Sequence, residues 1–277
     1  MSLNYNSYIR YLHAKTTIDD RALNAHVWTT LESYLPLEPL DILEVGAGIG
    51  TMIERIAQRN LLKQSAYHAI DISEDHIATL QQRCAQLTCG LEISAEVSSL
   101  QAYANNNSTQ YDLLIAHAVL DLLPLPKQLS TLFSLLKPDG LFYFSINFDG
   151  ITAFEPTIDP QLDAQIQRLY HACMDNRSTG GDSQTGRHLL SYIPAAGGTI
   201  LAAGSSDWIV YPRSDGRYHA DDAYFLHFII ETVSNALRHH PELDPVAFTD
   251  WVKRRHQQID AGKLIYIAHQ LDVLGHV

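Results

Sequence analysis

Asp41-Ile42-Leu43-Glu44-Val45, followed at once by Gly46-Ala47-Gly48-Ile49-Gly50, is the stretch whose reading decides the fold. A short apolar run stops at closely spaced glycines, and Met52, Ile53, Ile56 and Ala57 then recur at helical spacing. That succession reads as strand, turn and helix. Glycines in such a turn let a ligand approach the backbone, and the N-terminus of the helix offers free N–H groups, so the turn suits a nucleotide cofactor. A plain tight connection between strand and helix is the alternative. A dinucleotide fingerprint of the form G-x-G-x-x-G would need a third glycine at position 51, where this chain has Thr51. Glu44 instead stands two residues before the first glycine.

The same pattern repeats downstream. Tyr67 to Asp71 reads as a second strand, Ser73 as an N-cap, and Ile77, Leu80, Cys84 and Leu87 as the buried stripe of the next helix. Asp71 ends that strand where a carboxylate can accept both hydroxyls of a ribose, and Ile72 follows as an apolar wall for an adenine ring. A helix-capping or solvated acid is the other reading of Asp71. Leu91–Val97, Tyr111–His117 and Leu141–Asn147 add three strands whose apolar character on both faces suits a parallel sheet covered by helices on each side. Residues up to 148 therefore form a doubly wound α/β unit.

Upstream, residues 1–38 form a helical segment that covers the site. Thr17-Ile18-Asp19-Asp20 fits a capping box there, and Leu23, Val27, Leu31 and Leu35 follow on one face. Tyr5, Tyr8, Arg10, Tyr11 and Lys15 cluster before that box, either as simple packing or as aromatic and cationic groups facing a substrate. Downstream, Thr199–Tyr211 and Leu264–His269 read as extended, and helices are signalled over Ala223–Leu237 and from Asp244-Pro245 onward. The expected organisation is an N-terminal helical segment (1–38) and a domain over 39–277. That domain has its core at 39–148 and cap elements within 149–198 and 215–262. The aromatic helix around Tyr224–Ile230 either roofs an acceptor pocket or forms a homodimer contact.

Several motifs together resemble class I (Rossmann-like) S-adenosylmethionine-dependent methyltransferases. Glu44 to Gly50 is similar to the first motif of that family, and Ala69-Ile70-Asp71-Ile72 to the second. Ala95-Glu96-Val97-Ser98-Ser99-Leu100 resembles the segment whose acid meets the adenine amino group, with Glu in place of the more usual Asp. Tyr111 to Leu120 resembles the fourth strand and its loop, and Leu135-Leu136-Lys137-Pro138-Asp139-Gly140 the turn into the fifth. The resemblance implies a seven-stranded, mostly parallel sheet with helices on both faces, with 199–211 and 264–269 supplying its last two strands. It also implies S-adenosylmethionine as cofactor and S-adenosylhomocysteine as product. The expected cofactor residues are Glu44, Gly46, Ala47, Gly48, Gly50, Asp71, Ile72, Glu96, Val97, His117 and Ala118. In that pattern the glycine turn meets the methionine portion, Asp71 the ribose, and Glu96 with Val97 the adenine.

Methyl transfer from a sulfonium is an in-line displacement, so positioning in a dry pocket supplies most of the acceleration and no covalent residue is needed. His117, at the carboxyl end of the fourth strand, is the candidate base where an acceptor must lose a proton. Lining the cofactor pocket through its backbone is its alternative role. Tyr11, Asp121, Arg177 and Arg187 are candidate acceptor contacts, the last two flanking a glycine-containing loop that suits a mobile lid.

The chain has 277 residues, a net charge of −12 and a pI near 5.5, which opposes a broad nucleic-acid surface and favours a small-molecule acceptor for O- or N-methylation. The strand-four loop has no N-P-P-Y or D-P-P-Y, the tetrapeptide of enzymes that methylate base amines. An RNA or protein methyltransferase is the competing reading. A cofactor-binding protein without transfer, or a Rossmann oxidoreductase, belongs to a different class. Three scattered cysteines and no HExxH spacing speak against disulfides or a metal. With no long apolar run and no leader pattern, a soluble cytoplasmic protein is expected, with no membrane partner.

Overall fold

A computed structural model describes residues 7–62, 64–146, 148–176 and 182–277, and Arg177 and Tyr5 lie outside the described residues. Helices α1 (Tyr8–Ala22) and α2 (Ala25–Tyr34) precede the glycine-turn unit. The alternating core then runs β1 (Asp41–Val45), α3 (Thr51–Arg59), β2 (Ala66–Asp71), α4 (Glu74–Cys84), β3 (Glu92–Val97), α5 (Leu100–Asn106), β4 (Tyr111–His117), α6 (Lys127–Ser134) and β5 (Leu136–Ile146). Beyond it lie β6 (Thr152–Glu155), α7 (Pro160–Asp175), α8 (Thr185–Ala195), β7 (Thr199–Ser205), β8 (Trp208–Val210), α9 (Asp222–Leu237), α10 (Pro245–Asp260), β9 (Ile265–Ala268) and β10 (Leu271–His276).

Among the described residues the main sheet has seven strands in the order β3-β2-β1-β4-β5-β10-β7. The first five are parallel, and β10 runs antiparallel to both β5 and β7. Strand order reverses between β1 and β4, and in an open α/β sheet the crevice beyond the carboxyl ends at such a point is where ligands bind. One face of the sheet is packed by α2 and α3 through Val27, Trp28, Leu31, Met52, Ile53 and Ile56. The other is packed by α5, α6 and α8 through Leu100, Leu129, Leu132, Leu189 and Ile193.

A separate core stands over the carboxyl ends of the sheet. It is built by α1, α7, α9 and α10 on a second, antiparallel sheet, β6-β9-β8, with Phe225, Leu226, Ile230, Trp251 and Tyr266 buried at its centre. Placing 264–269 as the last strand of the main sheet is therefore corrected. Residues 265–268 form the middle strand of this second sheet, and 271–276 take the place expected for them. The extended segment 199–211 likewise splits, β7 joining the main sheet and β8 the second one.

One further expectation changes. The Thr17–Asp20 capping box is not a helix start, because those residues lie inside α1, and the caps are Ser7 and Asn24. The break falls at Leu23-Asn24, where Asn24 caps α2 with its side chain and bonds Ser205 and Asp272 with its other groups. Within α10, Lys253-Arg254-Arg255-His256 is basic throughout but not uniformly solvated. Arg255 is fully buried, donating to Asp163 at 2.7 Å and to the Pro156 carbonyl at 2.8 Å.

Candidate active site

A cavity of about 660 Å³ opens where β1, β2 and β4 end beneath the cap. At one end its walls are Glu44 to Ile49, Thr51, Asp71, Ile72, His76, Ser98 to Leu100 and His117 to Val119. The glycine turn is built for close approach. Gly46, Gly48 and Gly50 all have positive φ, at 70°, 53° and 83°, a region L side chains rarely adopt. A Cβ on Gly46 would lie 2.6 Å from Val119 Cγ2, whereas one on Gly48 would meet only Leu12, at 3.7 Å, so the backbone at Gly48 is bare toward the cavity.

Asp71 ties this turn to the second strand. Its carboxylate accepts from the Gly48 N–H at 2.9 Å, the Ser73 N–H at 2.9 Å and His76 Nδ1 at 3.0 Å. Burial alone would raise its pKa, but the donations from His76, Ser73 and Gly48 outweigh that and hold it below the usual carboxylate range. An ionised carboxylate has about four lone-pair sites, so room is left for a ribose hydroxyl. Ile72 beside it is 78% exposed and forms an apolar lip. His76, which sequence reasoning missed, stacks on Tyr8 with ring centres 5.5 Å apart and so joins α1 to this end of the cavity.

Glu44 is buried, accepting from the Tyr67 hydroxyl at 2.8 Å, and burial pushes its carboxyl up to about 8. It therefore faces the glycine turn as a neutral acid near pH 7. Gly50 caps α3 in the left-handed conformation without lining the cavity. Glu96 and Val97 are exposed at the end of the edge strand β3, and the cavity wall at that corner is made by Ser98, Ser99 and Leu100 instead.

His117 is 8% exposed at the end of β4. Its Nδ1 is hydrogen-bonded to the Ser145 hydroxyl, and its Nε2 lies 3.2 Å from Asp19 Oδ2. Burial lowers its pKa to about 4. Ala118 then adopts φ 56°, donates its N–H to the Ser145 carbonyl and turns the chain along the cavity. Asp19 is the centre of a buried polar cluster that the sequence did not signal. Lys15 Nζ donates to it at 2.5 Å, and Arg55 approaches at 3.7 Å while binding Asp20 at 2.6 Å. Burial would raise Asp19's pKa, but Lys15, His117 and Arg55 together hold it far below the carboxylate range.

The far end of the cavity is walled by the cap. Phe148, Phe154, Tyr170, Trp208, Phe228 and Tyr266 line it, with Tyr11 stacked on Phe228 at 4.1 Å. The aromatic helix α9 therefore roofs the cavity through Phe228, Ile229, Thr232 and Val233. Tyr11 and Asp121 both stand on the cavity wall. Arg187 does not: its guanidinium is held by the Asp149 carboxylate and carbonyl at 2.7 and 2.6 Å, away from the cavity. Among the described residues no group of three metal-ligating side chains gathers, and no helix is long and apolar enough to cross a membrane.

The family described as "Methyltransferase domain" matches residues 43–142, the segment that carries the glycine turn, Asp71 and His117. Residues 43–142 thus carry a methyltransferase domain, and the seven-stranded sheet has the fold of S-adenosylmethionine-dependent methyltransferases. No curated protein sequence matches the chain. Solved structures share the fold at low identity. A candidate methyltransferase from Bacillus halodurans is 10% identical, with 91% of this chain and 99% of that one covered at a TM-score of 0.52. A coclaurine N-methyltransferase bound to N-methylheliamine and S-adenosylhomocysteine is 11% identical, with 91% and 72% covered and a TM-score of 0.51. A Haemonchus contortus phosphoethanolamine N-methyltransferase, holding phosphomonomethylethanolamine and S-adenosylhomocysteine, is 13% identical, with 98% and 57% covered and a TM-score of 0.50. The bare backbone at Gly48 and the open acceptor site on Asp71 fit the cofactor of this methyltransferase, S-adenosylmethionine.

Proposed function

We propose that this methyltransferase transfers the methyl group to a small-molecule acceptor held in the aromatic end of the cavity. The observation that carries the reading is the roof: α1, α7, α9 and the second sheet stand over the carboxyl ends of the main sheet and leave a roofed, largely aromatic chamber. The whole cavity, cofactor end and chamber together, is about 660 Å³, within the roughly 300–1,000 Å³ of small-molecule sites. A macromolecular acceptor needs an open track, and nucleic acid needs concentrated positive charge, which a chain of net charge −12 does not favour. The two ligand-bound structures of the same fold hold small molecules, in keeping with the reading.

In this reading the glycine turn, Asp71, Ile72 and Glu44 hold the cofactor, and Glu96 and Val97 would contact adenine only from the exposed edge of β3. S-adenosylmethionine supplies an electrophilic methyl when bound. The chain's own contribution is to aim the acceptor and exclude water. His117, with both ring nitrogens engaged and a pKa of about 4, suits a connector between α1 and the sheet rather than a proton acceptor. Incubating the protein with methyl-labelled cofactor and separated metabolite, RNA and protein fractions tests the proposal. Label is expected in metabolites, and incorporation into RNA or protein alone would overturn it.

A further inference from the structure

Lys15 is the only lysine or arginine on the cavity wall among the described residues. It is 6% exposed, yet it makes a single hydrogen bond there, to Asp19, so two of its three N–H donors have no protein acceptor. Its Nζ stands 5.4 Å from the centre of the Trp208 ring, inside the aromatic end of the cavity. A buried ammonium with unused donors is costly unless a ligand oxygen completes it. Trp208 beside it, with Phe154, Phe228 and Tyr266 elsewhere on the cavity wall, offers faces and edges to a planar ring.

Charge narrows the acceptor further. Lys15 and Asp19 form an ion pair on which Arg55, 3.7 Å from the same carboxylate, and Asp121 on the wall also act. A carboxylate would bring a full anion into that site on binding, whereas a phenol enters neutral and its oxygen gains charge only beside Lys15 and the cofactor's sulfonium. An attacking amine develops positive charge on nitrogen, which the neighbouring ammonium opposes. A hydroxyl is neutral when bound and gains negative charge as it loses its proton, which two free N–H donors favour. An aliphatic alcohol would need a strong base, and His117 has both nitrogens engaged. A phenol, with a pKa of about 10, ionises without one.

We propose that the acceptor is a phenol whose oxygen docks on Lys15 Nζ, its ring lying between the aromatic walls, so that the reaction is O-methylation. This rests on the small-molecule reading above. The hydroxyl proton leaves to water and Lys15 stays an ammonium. The phenolate oxygen then forms a bond to the methyl carbon as the carbon–sulfur bond breaks, its electron pair staying on sulfur, to give an aryl methyl ether and S-adenosylhomocysteine.

The test uses a panel of mono- and bicyclic phenols with matched anilines and benzoic acids, read by S-adenosylhomocysteine formation. Fluorescence titration of 7-hydroxycoumarin bound with S-adenosylhomocysteine runs in parallel. Phenols alone should turn over, and the bound coumarin should ionise about 1–3 pH units lower than in water. Because Lys15→Met alone takes the nearest cation from the buried Asp19 carboxylate, the companion variant is Lys15→Met with Asp19→Asn. It should keep S-adenosylhomocysteine affinity, lose the coumarin shift and lose about 10²–10³-fold in turnover. Turnover of anilines or acids in place of phenols, no turnover or binding of any phenol, or an unshifted coumarin in the wild-type protein would each overturn the proposal. Methyl transfer confined to RNA or protein would instead remove the small-molecule reading beneath it.

Discussion

Replacing Asp71 with alanine removes the group on which the cofactor end is built. Its carboxylate accepts three donations at 2.9–3.0 Å within the protein, from Gly48, Ser73 and His76. A hydrogen bond to a charged group contributes about 1.5–3 kcal/mol, and losing the one to a bound ribose should weaken S-adenosylhomocysteine by roughly 10- to 150-fold in Kd. The unliganded protein should also lose about 1–3 kcal/mol, because the Gly48 and Ser73 N–H groups are left without their acceptor. Asp71→Asn, which keeps one accepting oxygen, should fall between the two in affinity. Calorimetric titration with S-adenosylhomocysteine, paired with urea unfolding of each variant, separates binding from stability. A folded Asp71→Ala protein that binds as tightly as wild type would remove Asp71 from the cofactor site and refute the reasoning.

Glu44 makes the ligand-free protein pH-dependent. Its folded pKa of about 8 lies above the ordinary 4.5, so its contribution is full below pH 4.5 and is lost as pH rises toward 8. The slope is up to about 1.4 kcal/mol per pH unit. Glu44→Gln keeps a partner for Tyr67 and should flatten this dependence, measured by urea unfolding between pH 5 and 8. Asp272, raised to about 6 by burial, contributes with the same sign at lower pH and persists in that variant. Gly46→Ala should destabilise the fold by on the order of 2–4 kcal/mol, since its φ is 70° and its Cβ would run into Val119. A thermal or chemical melt showing no change would contradict the turn geometry. His117→Asn should keep turnover within about tenfold of wild type at neutral pH, and a loss of 10²–10⁴-fold would restore it as a base.

The alternating core was legible because each of its elements carries its own local signal. Val45 to Gly50 announces the turn, Ser73 caps α4, and the apolar runs of β1, β2 and β4 match the strands closely. β10 was hidden because Asp272 interrupts its apolar run, and that acid is tolerated only through donations from Asn24, Tyr143 and Gln270, which are far apart in sequence or unremarkable locally. Asp19 was misread for a related reason. Thr17-Ile18-Asp19-Asp20 has the composition of a helix start, and its partners Lys15, Arg55 and His117 converge only in the folded chain. The aromatic chamber draws on α1, β6, α7, β8, α9 and β9, so no contiguous stretch could display it. Arg187 had the chemistry for a ligand contact, but Asp149, thirty-eight residues earlier, holds it.

A crystal structure with S-adenosylhomocysteine bound tests the central claim most directly. A ribose hydroxyl should lie on Asp71, the adenine against Ile72, and the sulfur beyond the glycine turn facing the chamber between Lys15 and Phe228. A nucleoside bound elsewhere, or a sulfur turned away from that chamber, would contradict it.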